Sequence, residues 1–317
     1  MVWQAVSSVL SLLILIGIGY FMAGLKWFGD SGADIFSKYS VRISIPCYMV
    51  YNVIVTCGTK EELLRVFRYM PIPVCTILFG TLLGFLFVRL FKIPAARRGV
   101  FINVMSFSNT VIIGFPVVNS LFGEEAMPYS MVYYMANTIL FWTIGVFLLR
   151  KDGGEETKIF SLDGLKHIFS PPIIGFLIGC IVLIFDIKIP SFIFLPMEMI
   201  KNTVTPICMM FIGSILRQTD FKSIRLTKDL GLLLVSRFVF TPALVAAVCW
   251  FLPVDVLLKQ VLFILSTMPA MTQLGIMSRE SGSDYQFASV LVAVTTTISM
   301  AVLPLYALIL THFNLFA

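Results

Sequence analysis

The sequence predicts an all-α integral membrane protein of ten transmembrane helices, arranged as two inverted five-helix repeats with broken, crossed helices 4 and 9. Three observations carry this prediction. Hydrophobic residues make up 58% of the chain against 13% charged, with a mean hydropathy of +0.95, more apolar surface than a water-soluble domain of this length can hide. The apolar residues fall into segments near the ~20 residues that one helix needs to cross a bilayer. Two of these segments, at matching places in the two halves, are interrupted by prolines, glycines and polar residues.

Taken in order, the first segment, Ala5 to Gly24, lacks the basic start and small-residue cleavage site of a signal peptide and reads as a retained helix. The second, 33–55, carries Lys38 and Arg42 near one end, where long side chains can snorkel to the interface. The third, 70–91, ends in basic residues, and the fourth, 98–121, contains the first interruption, Ser108 to Pro116. The fifth, 126–149, has Asn137 and Thr138 at mid-span. A charged, Gly-containing linker over 151–166 then separates a first repeat, 1–150, from a second, 167–317.

The sixth and seventh segments are 168–187 and 192–215. In the seventh, Glu198 and Lys201 are spaced to pair along one helix face. The eighth, 229–252, holds Arg237 about 12 to 14 Å inside at about 1.5 Å per residue, and no acidic residue of that segment neutralises it. The ninth, 256–279, contains the second interruption, Thr267 to Gly275. The tenth, 285–312, carries Thr295, Thr296 and Thr297, read as bonding their own helix.

Charge sets orientation. With the N-terminus outside, fifteen of the 23 Lys and Arg fall on the cytoplasmic side, five outside, and Arg42, Lys201 and Arg237 lie within segments. The positive-inside rule then places both termini outside a cell membrane crossed many times. The net charge of +6 resides in short loops facing lipid headgroups, so the bilayer, and not nucleic acid, is the expected partner. The six cysteines have no CxxC spacing and read as packing residues. His167 and His312 stand far apart with no ligand motif. Neither a metal, a cofactor nor a catalytic constellation is expected.

Five segments per half invert the second half relative to the first. Weak self-similarity agrees: Pro46 and Pro206 stand 160 residues apart, Gly114 and Gly275 161. In lipid an interrupted backbone costs several kcal/mol per unpaired group, so it persists only where buried in protein or lining a polar cavity. Pro116 suits the first turn of a half-helix following an unwound stretch from Asn109 to Phe115. The free amides and positive dipole end would favour an anion. The candidate substrate site comprises Ser108, Asn109, Thr110, Gly114 and Pro116, opposed by Pro269, Thr272, Gln273 and Gly275, with Asn137 and Thr138 as walls. The alternative is a proline kink whose polar groups satisfy backbone, with Thr272 as interhelical glue. Arg237 either pairs with carbonyls at a break or adds positive field to an anion site.

The run Asn109 to Val118, followed by Gly123-Glu124, resembles the broken fourth helix of the auxin efflux carrier family, which includes plant PIN carriers and bacterial organic-acid permeases. Arg237-Phe238, Thr241-Pro242-Ala243 and Met268-Pro269-Ala270 are similar to that family's second half. The linker is short, as in bacterial-type members, and Leu274-Gly275-Ile276 stands where relatives can place another proline. The resemblance implies a scaffold of spans 1, 2, 6 and 7, a mobile domain of spans 3–5 and 8–10, elevator-like alternating access and a homodimer. It implies a small organic anion as substrate, a mono- or dicarboxylate such as malate, malonate or lactate. The rival is a sodium- or proton-coupled cation antiporter or symporter of related architecture, coupled through Glu198. None of the 17 acids falls near 108–116 or 267–275, which disfavours proton antiport through a carboxylate at the breaks.

Overall fold

The computed structural model describes residues 2–27, 32–154, 169–219, 227–312 and 316. His167, most of the 151–166 linker, Lys222 and Arg225 lie outside the described residues, as does the side chain of His312. The helices are α1 (Val2–Gly24), α2 (Gly32–Cys57), α3 (Lys60–Phe67), α4 (Pro71–Leu90), α5 (Arg98–Ser106), α6 (Thr110–Phe122) and α7 (Glu124–Asp152). They continue with α8 (Pro171–Ile184), α9 (Ser191–Gln218), α10 (Lys228–Phe251), α11 (Val256–Ser266), α12 (Gln273–Glu280) and α13 (Tyr285–His312). Among the described residues no strand occurs, only an isolated bridge between Ser108 and Ala270.

Among the described residues six helices are long and apolar enough to cross a membrane: Gly32–Cys57, Lys60–Leu90, Glu124–Asp152, Ser191–Gln218, Lys228–Phe251 and Tyr285–Leu310. Four shorter apolar helices, Leu10–Gly24, Thr110–Phe122, Pro171–Ile184 and Val256–Ser266, occupy the remaining predicted segments. Two of the four are short for a physical reason. The fourth and ninth segments are each cut in two, into α5 and α6 and into α11 and α12.

The chain divides into two compact units, each drawing on both sequence halves. The first contains Met1–Met70, Val111–Val132 and Phe169–Thr219; the second contains Pro71–Thr110, Tyr133–Ile168 and Asp220–Ala317. The first therefore gathers segments 1, 2, 6 and 7 together with Val111–Val132, which the resemblance had grouped with spans 3–5.

In the first unit, backbones touch through glycine. A Cβ on Gly19 would lie 2.2 Å from Met210 O, and one on Gly213 would lie 2.0 Å from Ile16 O, so α1 and α9 meet without side chains between them. Gly175 and Gly179, four apart on α8, take the same role against Pro46 and Val50 of α2. Small residues allow this approach where lipid supplies no hydrophobic drive between helices.

Proline shapes the helices in a recurrent way. The π-turns Ser40–Ser44, Thr110–Gly114 and Ser236–Phe240 each precede a proline by two residues: Pro46, Pro116 and Pro242. A proline inside an α-helix lacks a donor and crowds the carbonyl four residues back. The wider turn reassigns the bonds, with the N–H of Ile45 donating to Ser40 O and that of Thr241 to Ser236 O, each five residues back.

One expected side-chain arrangement is corrected in this unit. Lys201 does not pair with Glu198. It is 4% exposed, donates to Glu124 and lies 3.9 Å from the Tyr51 ring centroid, while Glu198 accepts from the Tyr51 hydroxyl at 3.1 Å. A buried ammonium needs an inward partner, and Glu124 with the Tyr51 face supplies one. Lys38 is exposed and forms an i,i+4 ion pair with Asp34 at 2.6 Å.

In the second unit, Arg97 joins two helix starts. Its guanidinium donates from Nε to Asp284 at 2.7 Å and from Nη1 to Asp229 at 3.2 Å, and it stands over the Phe287 ring. The hydrogen bond to Asp284, helped by Asp229, raises the Arg97 pKa. Asp284 also caps α13 by accepting from the N–H of Phe287 at 3.0 Å.

Candidate functional site

Both breaks lie in the second unit. Helix α5 ends at Ser106, Phe107 turns extended at φ −109°, ψ 134°, and Thr110 resumes helical structure. The non-helical stretch is thus Phe107 to Asn109, not Asn109 to Phe115. The helix restarts early because Thr110 N–H turns back to Ser108 O at 2.9 Å and the π-turn accommodates Pro116 inside the helix, so Pro116 does not begin it. The second break runs from Thr267 to Thr272, between α11 and α12.

The two stretches lie side by side. Ser108 and Ala270 form an antiparallel bridge, and Asn109 N–H donates to Pro269 O at 2.9 Å. So short a ladder leaves backbone groups over, and side chains take them. Asn137 reads both sides of Ser108, accepting from its N–H at 3.0 Å and donating to its carbonyl at 3.1 Å, and also donates to Met271 Sδ at 3.6 Å. Thr295 accepts from Ala270 N–H at 3.2 Å while its hydroxyl donates to Leu291 O of its own helix at 2.7 Å.

Arg237 closes the arrangement from the π-turn of α10. It is 0% exposed. Its Nε donates to Met268 O at 2.8 Å, its Nη1 to Met105 O at 3.1 Å, and its Nη2 to Ser108 Oγ at 2.6 Å and to Met268 O. Met105 is in the last turn of α5, and Met268 lies just past the end of α11. Each helix C-terminus carries about −0.5 of a charge from unpaired carbonyls, so two of them meet one guanidinium with no carboxylate required. Of the two alternatives open from the sequence, the geometry is the pairing with carbonyls at the breaks. Thr241 adds a hydroxyl to Met105 O at 3.4 Å, and Tyr133 OH stands 3.3 Å from Ser108 Oγ.

With the C-terminal ends covered, the N-terminal end at α12 is left open. The Ser108–Ala270 bridge occupies the N–H of Met271, but the backbone N–H groups of Thr272 and Gln273 have no hydrogen-bond partner among the described residues, and Thr272 does not cap the helix with its side chain. Thr272 and Gln273 are half-buried, their side chains joined at 3.3 Å.

A family described as "Membrane transport protein" matches residues 4–307. The chain belongs to this membrane transport protein family. It is the family to which the auxin efflux carrier resemblance pointed, one of transporters and not of enzymes. An uncharacterized transporter of Methanothermobacter thermautotrophicus is 24% identical over 309 residues, covering 96% of this chain and 97% of its own. An uncharacterized transporter of Methanocaldococcus jannaschii is 24% identical over 310 residues, covering 95% and 97%. With its several long apolar helices, the chain is a multi-pass membrane transporter.

In this transporter the residues singled out from sequence separate into groups. Ser108, Asn109, Pro269, Asn137 and Arg237 share one bonded network, with Thr110 at its edge. Thr138 is buried beside Asn137, and its hydroxyl has no partner among the described residues. Gln273 and Gly275 belong to the first turn of α12 and not to the break; a Cβ on Gly275 would stand 3.2 Å from Ser289 Oγ, so its smallness serves packing on α13. Gly114 and Pro116 belong to the first unit. Tyr133 and the carbonyls of Met105 and Met268 were not foreseen. Tyr133 stands one helical turn before Asn137, and that spacing on one face is the signal that could have found it.

Proposed function

We propose that the transporter carries a small organic anion, a mono- or dicarboxylate, held at the paired breaks and moved across the plasma membrane by an elevator-like alternating access. The observation that carries the reading is the asymmetry of charge at the breaks. Arg237 occupies the carbonyl-rich ends, while the open amides of Thr272 and Gln273 leave a donor cluster at a helix start. A carboxylate suits such a cluster, since backbone N–H groups and the helix dipole act together on a negative charge. Thr272, Gln273, Asn109, Thr110 and Thr138 add polar side chains around it. Glu198, the residue a cation-coupled carrier would use, is engaged with Tyr51 in the first unit.

The wider architecture of this proposal is ten spans in two inverted repeats, 1–150 and 167–317, with both termini outside and a homodimer as the assembled form. The matched breaks support the repeats, and the grouping of segments 1, 2, 6 and 7 in one compact unit supports a division of labour between scaffold and carrier.

Electrogenic uptake by purified protein in liposomes, across a panel of mono- and dicarboxylates at two sodium concentrations and two pH values, tests the reading. We expect currents for one acid class that are indifferent to sodium and at least tenfold smaller in Asn109→Ala. Currents that require sodium or a pH gradient and no organic anion would replace the anion carrier with a cation antiporter.

A further inference from the structure

Away from the breaks, a cavity of about 700 Å³ opens in the second unit where α4 and α7 end and α5 begins. Its lining includes Arg89, Lys92, Arg98 and Lys151. None of these four cations makes an ion pair among the described residues. The carboxylate of the lining, Asp152, is turned to the backbone N–H of Gly99. Arg98 anchors through Nε to Ile93 O at 3.0 Å, and Arg89, Lys92 and Lys151 are exposed. Four cations against one engaged carboxylate make a site that attracts an anion.

The remaining wall decides which anion. Phe85, Val88, Ile102 and Leu148 line the same cavity. Along α4, Leu82, Phe85 and Arg89 follow one another at helical spacing of three and four, on one face. Leu82 is 62% and Phe85 45% exposed, and below them Phe79 is 50% exposed. One helix face thus runs from bare apolar side chains to basic ones, with the cavity at the transition and at the end of a candidate membrane span. A soluble anion would match the basic half alone. A molecule with a phosphate at one end and hydrocarbon at the other matches both.

We propose that this cavity binds an anionic phospholipid, its phosphodiester among Arg89, Lys92, Arg98 and Lys151 and its acyl chains along the Leu82 and Phe85 face of α4. Basic pockets between helices at a membrane surface recognise lipid headgroups through this combination of charge and adjoining hydrocarbon. The site is independent of the carboxylate reading above, because it needs only that α4 and α7 face lipid.

Native mass spectrometry of the full-length protein in neutral detergent, with phosphatidylglycerol and phosphatidylcholine added at equal concentration, reads the preference directly. We expect phosphatidylglycerol adducts to exceed phosphatidylcholine adducts at least fivefold. The Arg89→Gln/Lys92→Gln/Lys151→Gln variant, which spares the anchored Arg98, is expected to bind the two lipids equally. A variant with the same charge removed elsewhere, Lys60→Gln/Arg68→Gln/Lys188→Gln, is expected to keep the preference. Glycerol 1-phosphate at the lipid concentration is expected to displace nothing. Equal retention of both lipids by the wild type overturns the proposal, and that measurement stands even if the cavity variant fails to fold. Equal loss in both triple variants overturns it in favour of diffuse surface charge, and displacement by glycerol 1-phosphate overturns it in favour of a soluble phosphate.

Discussion

Replacing Arg237 with alanine is expected to lower carboxylate uptake about a hundredfold and to destabilise the purified protein. The side chain is wholly buried and donates to Met105 O, Met268 O and Ser108 Oγ. Hydrogen bonds to a charged partner are worth about 1.5–3 kcal/mol each. The three acceptors form one network, so their losses do not sum. A net cost on the order of 3 kcal/mol to the paired breaks is a conservative reading, and it lowers the fraction with an intact site by about a hundredfold. Arg237→Lys separates geometry from charge. An ammonium keeps the positive charge opposite the two helix ends but cannot present the planar fork that reaches three acceptors. Its uptake is expected to remain at least tenfold below wild type. Initial uptake rates and melting temperature in detergent check both variants. Wild-type uptake by Arg237→Lys would mean that charge alone suffices.

Asn137→Leu is the second large loss expected. No other residue type offers one donor and one acceptor in the same plane at this length, and Asn137 uses both on Ser108, the residue that bridges to Ala270. Leucine would strand the buried N–H of Ser108 at about 1–3 kcal/mol and remove one of the two donors to its carbonyl, which keeps the N–H of Thr110. We expect uptake to fall by at least tenfold, with thermal stability lowered less than in Arg237→Ala because the guanidinium contacts persist. Asn137→Asp keeps the acceptor for Ser108 N–H but loses the donor and buries a second charge, so it is not expected to restore transport. Recovery by Asn137→Asp would show that only the Ser108 N–H matters.

Much of this arrangement was readable in the sequence because interruption of apolar runs is a strong signal. Pro116, Pro269 and the polar residues beside them mark both breaks, and a lone arginine deep in an apolar segment marks Arg237. What Arg237 binds was not readable, since backbone carbonyls have no side-chain signature. From sequence, Pro116 suggests a helix start, but the first break is shorter because a π-turn admits proline inside the helix. The same turn stands before Pro46 and Pro242, whereas Pro196 and Pro304 lie inside α-helix without one. Helical spacing alone pairs Lys201 with Glu198, whereas burial directs Lys201 to Glu124. Gly275 was read as part of the break because glycine serves both backbone freedom and close packing; its contact with Ser289 identifies the second.

Protection of a cysteine at the open helix start tests the central claim most directly. Thr272→Cys, in a background with the six native cysteines replaced, would be labelled by a small hydrophilic thiol reagent in proteoliposomes with and without each carboxylate. We predict that the acids that drive current slow labelling at least fivefold, and that acids that drive none leave it unchanged. A control, Lys188→Cys in the exposed turn between α8 and α9, should label at one rate throughout. Unchanged labelling of Thr272→Cys in the presence of a transported acid, with uptake intact, would contradict a substrate site at the paired breaks.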